Sequence, residues 1–96
     1  MSFRVSRAAA ADLLNILEQG IQRFGPGQAV DYVDGFERAF LQLAEFPISG
    51  PERADLDMSQ RMRTFGAHII FYAVELDGSV LITRIRQGRE DWNPNG

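Results

Sequence analysis

The sequence predicts an α+β domain with a short N-terminal strand and an antiparallel helical hairpin that packs on one face of a twisted antiparallel sheet of about four strands. Three observations predict this fold. Apolar residues recur every three or four positions between residues 8 and 46, the period changes to two from residue 61, and an Asp-Gly pair separates two strand-like runs. A chain of 96 residues has room for one hydrophobic core, so we assign residues 1–96 to a single domain.

Composition excludes several classes of function. The chain has no cysteine and one histidine, which argues against disulfides, a thiol nucleophile and an all-protein metal site. We therefore expect no metal and no cofactor. The net charge of −3 argues against a large basic footprint for duplex DNA. The sequence lacks a membrane-spanning apolar run and a signal-peptide pattern, which predicts a cytoplasmic protein without a membrane partner.

Residues 2–46 are predicted to form the strand and the hairpin. Residues 2–6 alternate as a short strand, Ser6 is a plausible N-cap, and Gly25 with Pro26 ends one helix and begins the next. Two helices joined so closely should pack antiparallel, and a coiled-coil dimerisation arm is the functional alternative. Each helix is predicted to carry one apolar stripe. The first stripe comprises Leu13, Leu17, Ile21 and Phe24 with Leu14 beside them, and the second comprises Ala29, Val33, Phe36, Phe40 and Leu43 with Tyr32 and Ala39 beside them.

Residues 47–59 form a predicted loop that is rich in Pro, Gly, Ser and Asp. Asp55 and Asp57 raise the possibility of a cation site. The glycine of a calcium loop is missing and no further ligand follows at a suitable spacing, so a solvated turn is the preferred interpretation.

Asp77 and Gly78 predict a two-residue type I′ turn between a strand over residues 68–76 and a strand over residues 79–86. That turn fixes the register of the two strands. The face toward the helices would carry the pairs Val74–Leu81, Tyr72–Thr83 and Ile70–Ile85. The opposite face would carry Ala73–Ile82, Phe71–Arg84 and Ile69–Arg86.

The strand over residues 61–65 has two possible registers. A strict two-residue turn at Gly66 and Ala67 would place Arg61 and Arg63 under the helices, where losing water is costly for a guanidinium group. We therefore predict a longer loop or bulge, which moves both arginines to the side of Arg84 and Arg86. The expected result is a concave sheet face with four arginines.

Clustered arginines repel one another, which favours an anionic partner, with neutralisation by nearby Glu and Asp as the alternative. All ten basic residues are arginine, a bias that a GC-rich genome also produces.

His68 is the one candidate for a neutral general base, but no nucleophile lies at a diagnostic spacing, so a structural role is preferred. Trp92 either folds back onto the sheet or helps to grip a target.

Two segments, RMRTFGAHIIFYAV and ITRIRQGREDW, and the link FGPGQA resemble the RelE/ParE superfamily of bacterial toxins, in particular its ParE branch. The first segment is similar to the family's basic strand, glycine turn and following strand. The second is similar to the ParE ending I-x-R-V-x-H-G-R-x-D, with Gln87 at the histidine position. The order and spacing of these motifs are more specific than any one of them.

The resemblance implies the toxin of a type II toxin–antitoxin pair, held inactive by a ParD-like antitoxin in a hetero-oligomer. ParE toxins block DNA gyrase, whereas RelE toxins cut messenger RNA on the ribosome. The chain has no lysine and no tyrosine after the last arginine, which favours a gyrase inhibitor without catalytic residues or sequence-specific nucleic-acid binding. A ribonuclease that uses Arg61, Arg63 and Arg89, and an inactive member that acts as a binding module, are the alternatives.

This interpretation assigns residues to two surfaces. The expected target-binding residues are Arg61, Arg63, Arg84, Arg86, Arg89 and Trp92. The expected antitoxin-binding residues are Leu14, Ile21, Tyr32 and Phe36, along apolar grooves of the hairpin. An extended antitoxin segment that adds a strand to the sheet edge is a further expectation.

Overall fold

A computed structural model of the chain describes residues 2–47 and 60–88. Its elements are β1 (Phe3–Val5), α1 (Arg7–Phe24), α2 (Pro26–Glu45), β2 (Arg61–Phe65), β3 (His68–Val74) and β4 (Val80–Gln87). The strands form one sheet in the order β1-β4-β3-β2, and the helical hairpin covers one face, which confirms the α+β class. β1 runs parallel to β4, so the sheet is mixed rather than antiparallel throughout. A parallel pair needs a long connection, which the hairpin begins.

Local signals define the hairpin as predicted. The Ser6 hydroxyl accepts a hydrogen bond from the Ala9 N–H at 3.0 Å and caps α1. Gly25 adopts a positive φ of 90° at the junction, and Pro26 begins α2. The two helices approach closely where Gly20 meets Ala29, since a Cβ on Gly20 would lie 3.0 Å from that of Ala29.

The core lies between the hairpin and the sheet. The stripe predicted for α2 is largely confirmed: Phe36 and Leu43 are fully buried, and Val33 is half-buried. The stripe predicted for α1 is partly wrong, because Ile21 and Phe24 are exposed. Leu13 packs against the core as predicted, and Ala9, Ile16 and Gly20 face inward with it. Ala9 and Gly20 are small, so α1 lies close to the sheet and to α2 at these positions. The larger side chains of Ile21 and Phe24 lie on the outer side of the helix.

The β3–β4 register agrees with the prediction at one end and differs by one residue at the other. The pairs Ile70–Ile85, Phe71–Arg84 and Ile69–Arg86 are confirmed. Near the turn the observed pairs are Tyr72–Ile82, Ala73–Leu81 and Val74–Val80, and the register shifts between Phe71 and Tyr72. Thr83 is therefore an extra residue in β4, as in a β-bulge. The bulge buries Val80 and Ile82 and lets the Thr83 hydroxyl donate to the Phe71 carbonyl at 3.0 Å.

The turn itself is longer than the predicted type I′ turn and spans residues 75–79. Asp77 accepts hydrogen bonds from the Ser79 N–H at 2.9 Å and the Ser79 hydroxyl at 2.6 Å. The Glu75 N–H donates to the Ser79 carbonyl at 2.8 Å, which closes the loop. Side-chain bonds of this kind give the backbone an alternative to the tightest hairpin turn.

The predicted register of β2 is wrong. Phe65 pairs with His68, Arg63 with Ile70 and Arg61 with Tyr72, so the turn at Gly66 and Ala67 is the strict two-residue turn. Arg61 and Arg63 thus lie on the helix side of the sheet, and the four-arginine face does not form. Burial is avoided because β2 is an edge strand beyond the main helical cover. The Arg63 guanidinium there donates to the Gln42 amide oxygen of α2.

Candidate functional site

The main candidate site is a groove of about 490 Å³ between α1 and the end of β4, which we call the α1–β4 groove. β1 ends at Val5, so the second half of β4 runs on without a neighbouring strand on that side. Two side chains instead hydrogen-bond the backbone of β4 along this open edge. The Ser6 hydroxyl donates to the Thr83 carbonyl at 2.9 Å, and the Asp12 carboxylate accepts from the Ile85 N–H at 2.9 Å.

Asp12 also orients the arginine that lines this groove. The Nε of Arg84 donates to one carboxylate oxygen at 2.9 Å and its Nη2 to the other at 3.1 Å, which is a two-point contact. Burial alone would raise the pKa of Asp12, but the hydrogen bonds from Arg84 and Ile85, with the charges of Arg84 and Arg86, hold that pKa below its ordinary value. The groove therefore presents an oriented Arg84, with Arg86 also in its lining, beside an ionised carboxylate.

A hydrogen-bonded cluster around Tyr32 adjoins this groove at His68. The Tyr32 hydroxyl accepts from the Ala67 N–H at 3.1 Å and lies 2.7 Å from Nδ1 of His68. Burial lowers the pKa of His68 and raises that of Tyr32, the latter partly offset by the bond from Ala67. The direction of the hydrogen bond between Tyr32 and His68 follows the tautomer of the ring, and the Tyr32 hydroxyl also lies 3.3 Å from the Phe65 carbonyl oxygen. His68 is thus held in a network with Tyr32.

A cavity of about 360 Å³ lies beside this cluster, between the two helices and the ends of β3 and β4. Gly20 and Ala29 leave space in its lining, and Phe24 forms an exposed wall. Arg23 is the charged residue of the lining, and Gln87 is shared with the α1–β4 groove. The two sites are therefore continuous along one side of the molecule.

The predicted antitoxin-binding residues separate into exposed and buried groups. Leu14 and Ile21 are 56% and 40% exposed on the outer side of α1, where a partner can reach them. Tyr32 is half-buried in the His68 cluster. Phe36 has no exposed surface and belongs to the core, so it is removed as a contact residue. Its place on the apolar stripe of α2 is what makes it a core residue.

The predicted target-binding residues are not brought together. The register assigns Arg84 and Arg86 to the sheet face opposite that of Arg61 and Arg63. The Arg84 side chain nevertheless reaches Asp12 of α1 at the open edge of β4, whereas Arg63 bonds Gln42 of α2. Arg89 and Trp92, with Asp55 and Asp57 of the loop, lie outside the described residues. The sequence did not indicate Asp12 as a site residue, because its partners follow more than 70 positions later.

Within residues 2–47 and 60–88, no cluster of three or more His, Cys, Asp or Glu side chains is arranged to hold a metal ion. The helices α1 and α2 both fall short of the length and apolarity that a bilayer-spanning helix requires.

The chain thus forms a small α+β domain in which a helical hairpin covers one face of a four-stranded mixed sheet. The profile of the ParE toxin of type II toxin–antitoxin systems (parDE) matches residues 3–92. The chain belongs to this ParE toxin family. Toxin ParE1 of Caulobacter vibrioides is 36% identical over 72 residues, 75% of each chain. Toxin ParE1 of Mycobacterium tuberculosis is 28% identical over 93 residues, 97% of this chain and 95% of that protein.

Solved structures give the same result at the level of fold. A chain of the chromosomal ParDE toxin–antitoxin system from P. aeruginosa superposes with a TM-score of 0.78 at 25% identity, over 91% of this chain and 95% of that one. The RelBE2 toxin–antitoxin complex of Mycobacterium tuberculosis matches with a TM-score of 0.61 at 17% identity, over 90% of this chain and 95% of that one. The second likeness concerns the fold alone.

Proposed function

We propose that this ParE-family toxin arrests growth by binding DNA gyrase through the α1–β4 groove, and that a cognate antitoxin neutralises it. The observation that carries the proposal is the Asp12–Arg84 contact, which holds an arginine in a fixed orientation next to Arg86. An arginine already ordered before binding loses little side-chain entropy in a complex, and arginine is favoured at interface centres. The groove thus suits an acidic surface on a protein target.

The distribution of charged groups supports binding rather than RNA cleavage. Cleavage of a phosphodiester needs a proton-transfer group and cations that converge on one phosphate. Arg61 and Arg63 lie on one face of the sheet and Arg84 and Arg86 on the other. Nδ1 of His68 is engaged by the Tyr32 hydroxyl rather than free to contact a substrate. These arrangements favour a toxin that binds its target without cleaving it.

The partner is an antitoxin, as expected for this family, and the structural relative from P. aeruginosa is itself a ParDE toxin–antitoxin system. The exposed residues Leu14 and Ile21 mark the surface where we place the antitoxin. The antitoxin then covers a helical face that is separate from the α1–β4 groove, and its bulk blocks the approach of the target.

The test uses toxin refolded after separation from its antitoxin. We expect it to inhibit supercoiling by purified gyrase and to change the amount of cleavage complex, and addition of antitoxin should reverse both effects. Unchanged supercoiling and unchanged cleavage complexes would contradict the proposal. Primer extension on ribosome-bound messages separates the alternatives, since new cuts there would indicate a ribonuclease. Normal growth after induction of the toxin alone would indicate an inactive binding module.

A further inference from the structure

The face of the sheet opposite the helical hairpin buries two large apolar residues. Ile70 and Tyr72 of β3 belong to the core under the helices. Successive side chains of a strand point to opposite faces, so Ile69 and Phe71 point away from that core. Both are 6% exposed, although neither belongs to the core cluster that the hairpin covers. We call this side of the sheet the far face.

The strands of the sheet do not by themselves explain this burial. A sheet that is open to water on one side carries mainly polar residues there. Phe71 is instead followed on the far face by the small Ala73, and its pairing partner Arg84 extends its guanidinium group toward Asp12 at the edge of β4. In the described part of the chain, no helix or strand forms a second layer over this face. The low exposure of Phe71 therefore indicates a further cover.

The C-terminal segment begins at a place from which it can supply that cover. The Gly88 N–H donates to the Ala67 carbonyl at 2.8 Å, so Gly88 lies level with the residue that precedes β3. Phe71 lies four positions after Ala67, and Trp92 lies four positions after Gly88. Each residue of an extended chain adds about 3.3 Å. A segment that turns back along the sheet at Gly88 therefore brings Trp92 level with Phe71.

The charges of this segment complement those of the far face. The register of β3 and β4 assigns Arg84 and Arg86 to this face. The two residues that precede Trp92 are Glu90 and Asp91. A segment that runs back along the sheet brings these acids to the level of the arginines, and opposite charges on neighbouring strands stabilise their pairing.

The cavity beside Tyr32 is a second apolar site near the beginning of the segment, because Gln87 lines it. Its wall residue Phe24 is 62% exposed, whereas the apolar residues of the far face are covered. Arg23 is the charged residue of the cavity lining, which offers one cation to a segment with two adjacent acids. The far face therefore suits the segment better than this cavity does.

We propose that the C-terminal segment folds back across the far face, where Trp92 packs on Phe71 and the two acids before it lie beside Arg84 and Arg86. The inference goes beyond the proposed function and does not depend on it. Trp92 is then an intramolecular anchor instead of the target contact that the sequence predicted. The anchor holds Arg89 near the end of β4, which lines the α1–β4 groove.

Fluorescence of Trp92 tests the proposal directly, because the chain has one tryptophan. In the refolded toxin we expect a blue-shifted emission and weak quenching by acrylamide. Phe71→Leu keeps an apolar side chain but removes the ring. It should shift the equilibrium between the docked and the free segment toward the free one by about fivefold, because an aromatic pair stabilises a contact beyond its buried area. Quenching of Trp92 should rise accordingly.

The variant E90Q/D91Q tests the charged part of the contact and leaves the sheet unchanged, so it remains informative where Phe71→Leu lowers stability. It should also raise quenching of Trp92. Salt at 1 M should raise quenching in the unchanged chain but not in E90Q/D91Q, because it screens charges beyond about 3 Å.

The matched control is Phe24→Leu in the wall of the cavity beside Tyr32, which should leave the quenching of Trp92 unchanged. Three results would overturn the proposal. They are an emission of the unchanged chain like that of free tryptophan, quenching that neither Phe71→Leu nor E90Q/D91Q alters, and quenching that rises in Phe24→Leu alone.

Discussion

At the residue scale, the Asp12 carboxylate joins α1 to the side chain of Arg84 and to the backbone of β4 at Ile85. It caps the Ile85 N–H at the open edge of β4, orients Arg84, and belongs to α1, so it ties the helix to the sheet. Its side chain is mostly buried, at 14% exposure. A buried acceptor in such a position is costly to remove, because the donors it serves lose their partner.

Asp12→Ala should therefore lower the free energy of unfolding by about 2 to 3 kcal/mol, since a backbone donor and a charged group both lose their acceptor. Asp12→Asn keeps an acceptor for Ile85 and should lose about half as much. Urea unfolding measures both. Equal stability of the Ala variant and the unchanged chain would show that the Asp12 contacts contribute nothing.

The same residue predicts a dependence on pH. The pKa of Asp12 is lower in the folded chain than in the unfolded one, so the unfolded chain binds more protons as the pH falls. The stability contributed by ionised Asp12 is present above about pH 5 and is lost as the pH falls below about 4. The stability difference between the unchanged chain and Asp12→Asn should be constant from pH 7 to 5 and then diminish.

His68 predicts a second effect at higher pH. Burial lowers its pKa in the folded chain, so below the ordinary value of about 6.5 the unfolded chain binds the extra proton first. Stability should fall as the pH decreases through 6.5 and level off below the folded pKa. His68→Gln should remove this slope. Since the chain has one histidine, NMR titration of its ring gives the folded pKa directly, and a value above 6.5 would contradict the assignment.

At the element scale, sequence patterns predicted the helices better than the register of the strands. The Ser6 cap and the Gly25–Pro26 junction are local signals, and both were confirmed. The Thr83 bulge and the strict turn at Gly66 depend on partners far along the chain. The bulge buries Ile82 in place of Leu81, and the turn works because β2 is an edge strand. Neither reason can be read from the residues on one strand.

The close approach of α2 to β2 is set by Gly35. A Cβ at this position would lie 2.5 Å from the ring of Phe65, which itself packs on Phe36 with ring centroids 4.5 Å apart. Gly35→Ala should therefore lower stability by about 1 to 3 kcal/mol, despite the higher helix propensity of alanine. The matched control is Gly27→Ala in the same helix, where a Cβ meets nothing within 4 Å.

For Gly27→Ala we expect a gain of about 0.5 to 1 kcal/mol. Thermal unfolding of the two variants under identical conditions checks both signs. A stable Gly35→Ala variant would mean that Phe65 moves aside without cost, and that the packing of β2 against α2 is looser than its geometry indicates.

At the scale of the whole molecule, two surfaces lie apart. The outer side of α1 exposes Leu14 and Ile21, and the α1–β4 groove carries Arg84 and Arg86. The sequence indicated Arg84, Arg86, Leu14 and Ile21, but the placement of each surface required the fold. This separation predicts that target binding and antitoxin binding can be weakened independently.

The most direct measurement is inhibition of gyrase supercoiling by the double variant R84Q/R86Q. Asp12 is unchanged in this variant and still accepts the Ile85 N–H, so the edge of β4 keeps its partner. The control R4Q/R38Q removes the same charge from exposed positions that line neither the α1–β4 groove nor the adjoining cavity. The account predicts that R84Q/R86Q loses at least tenfold in inhibition while it binds the antitoxin as the unchanged chain does, and that the control retains both activities. Full inhibition by a folded R84Q/R86Q variant would contradict the assignment of the α1–β4 groove as the target surface.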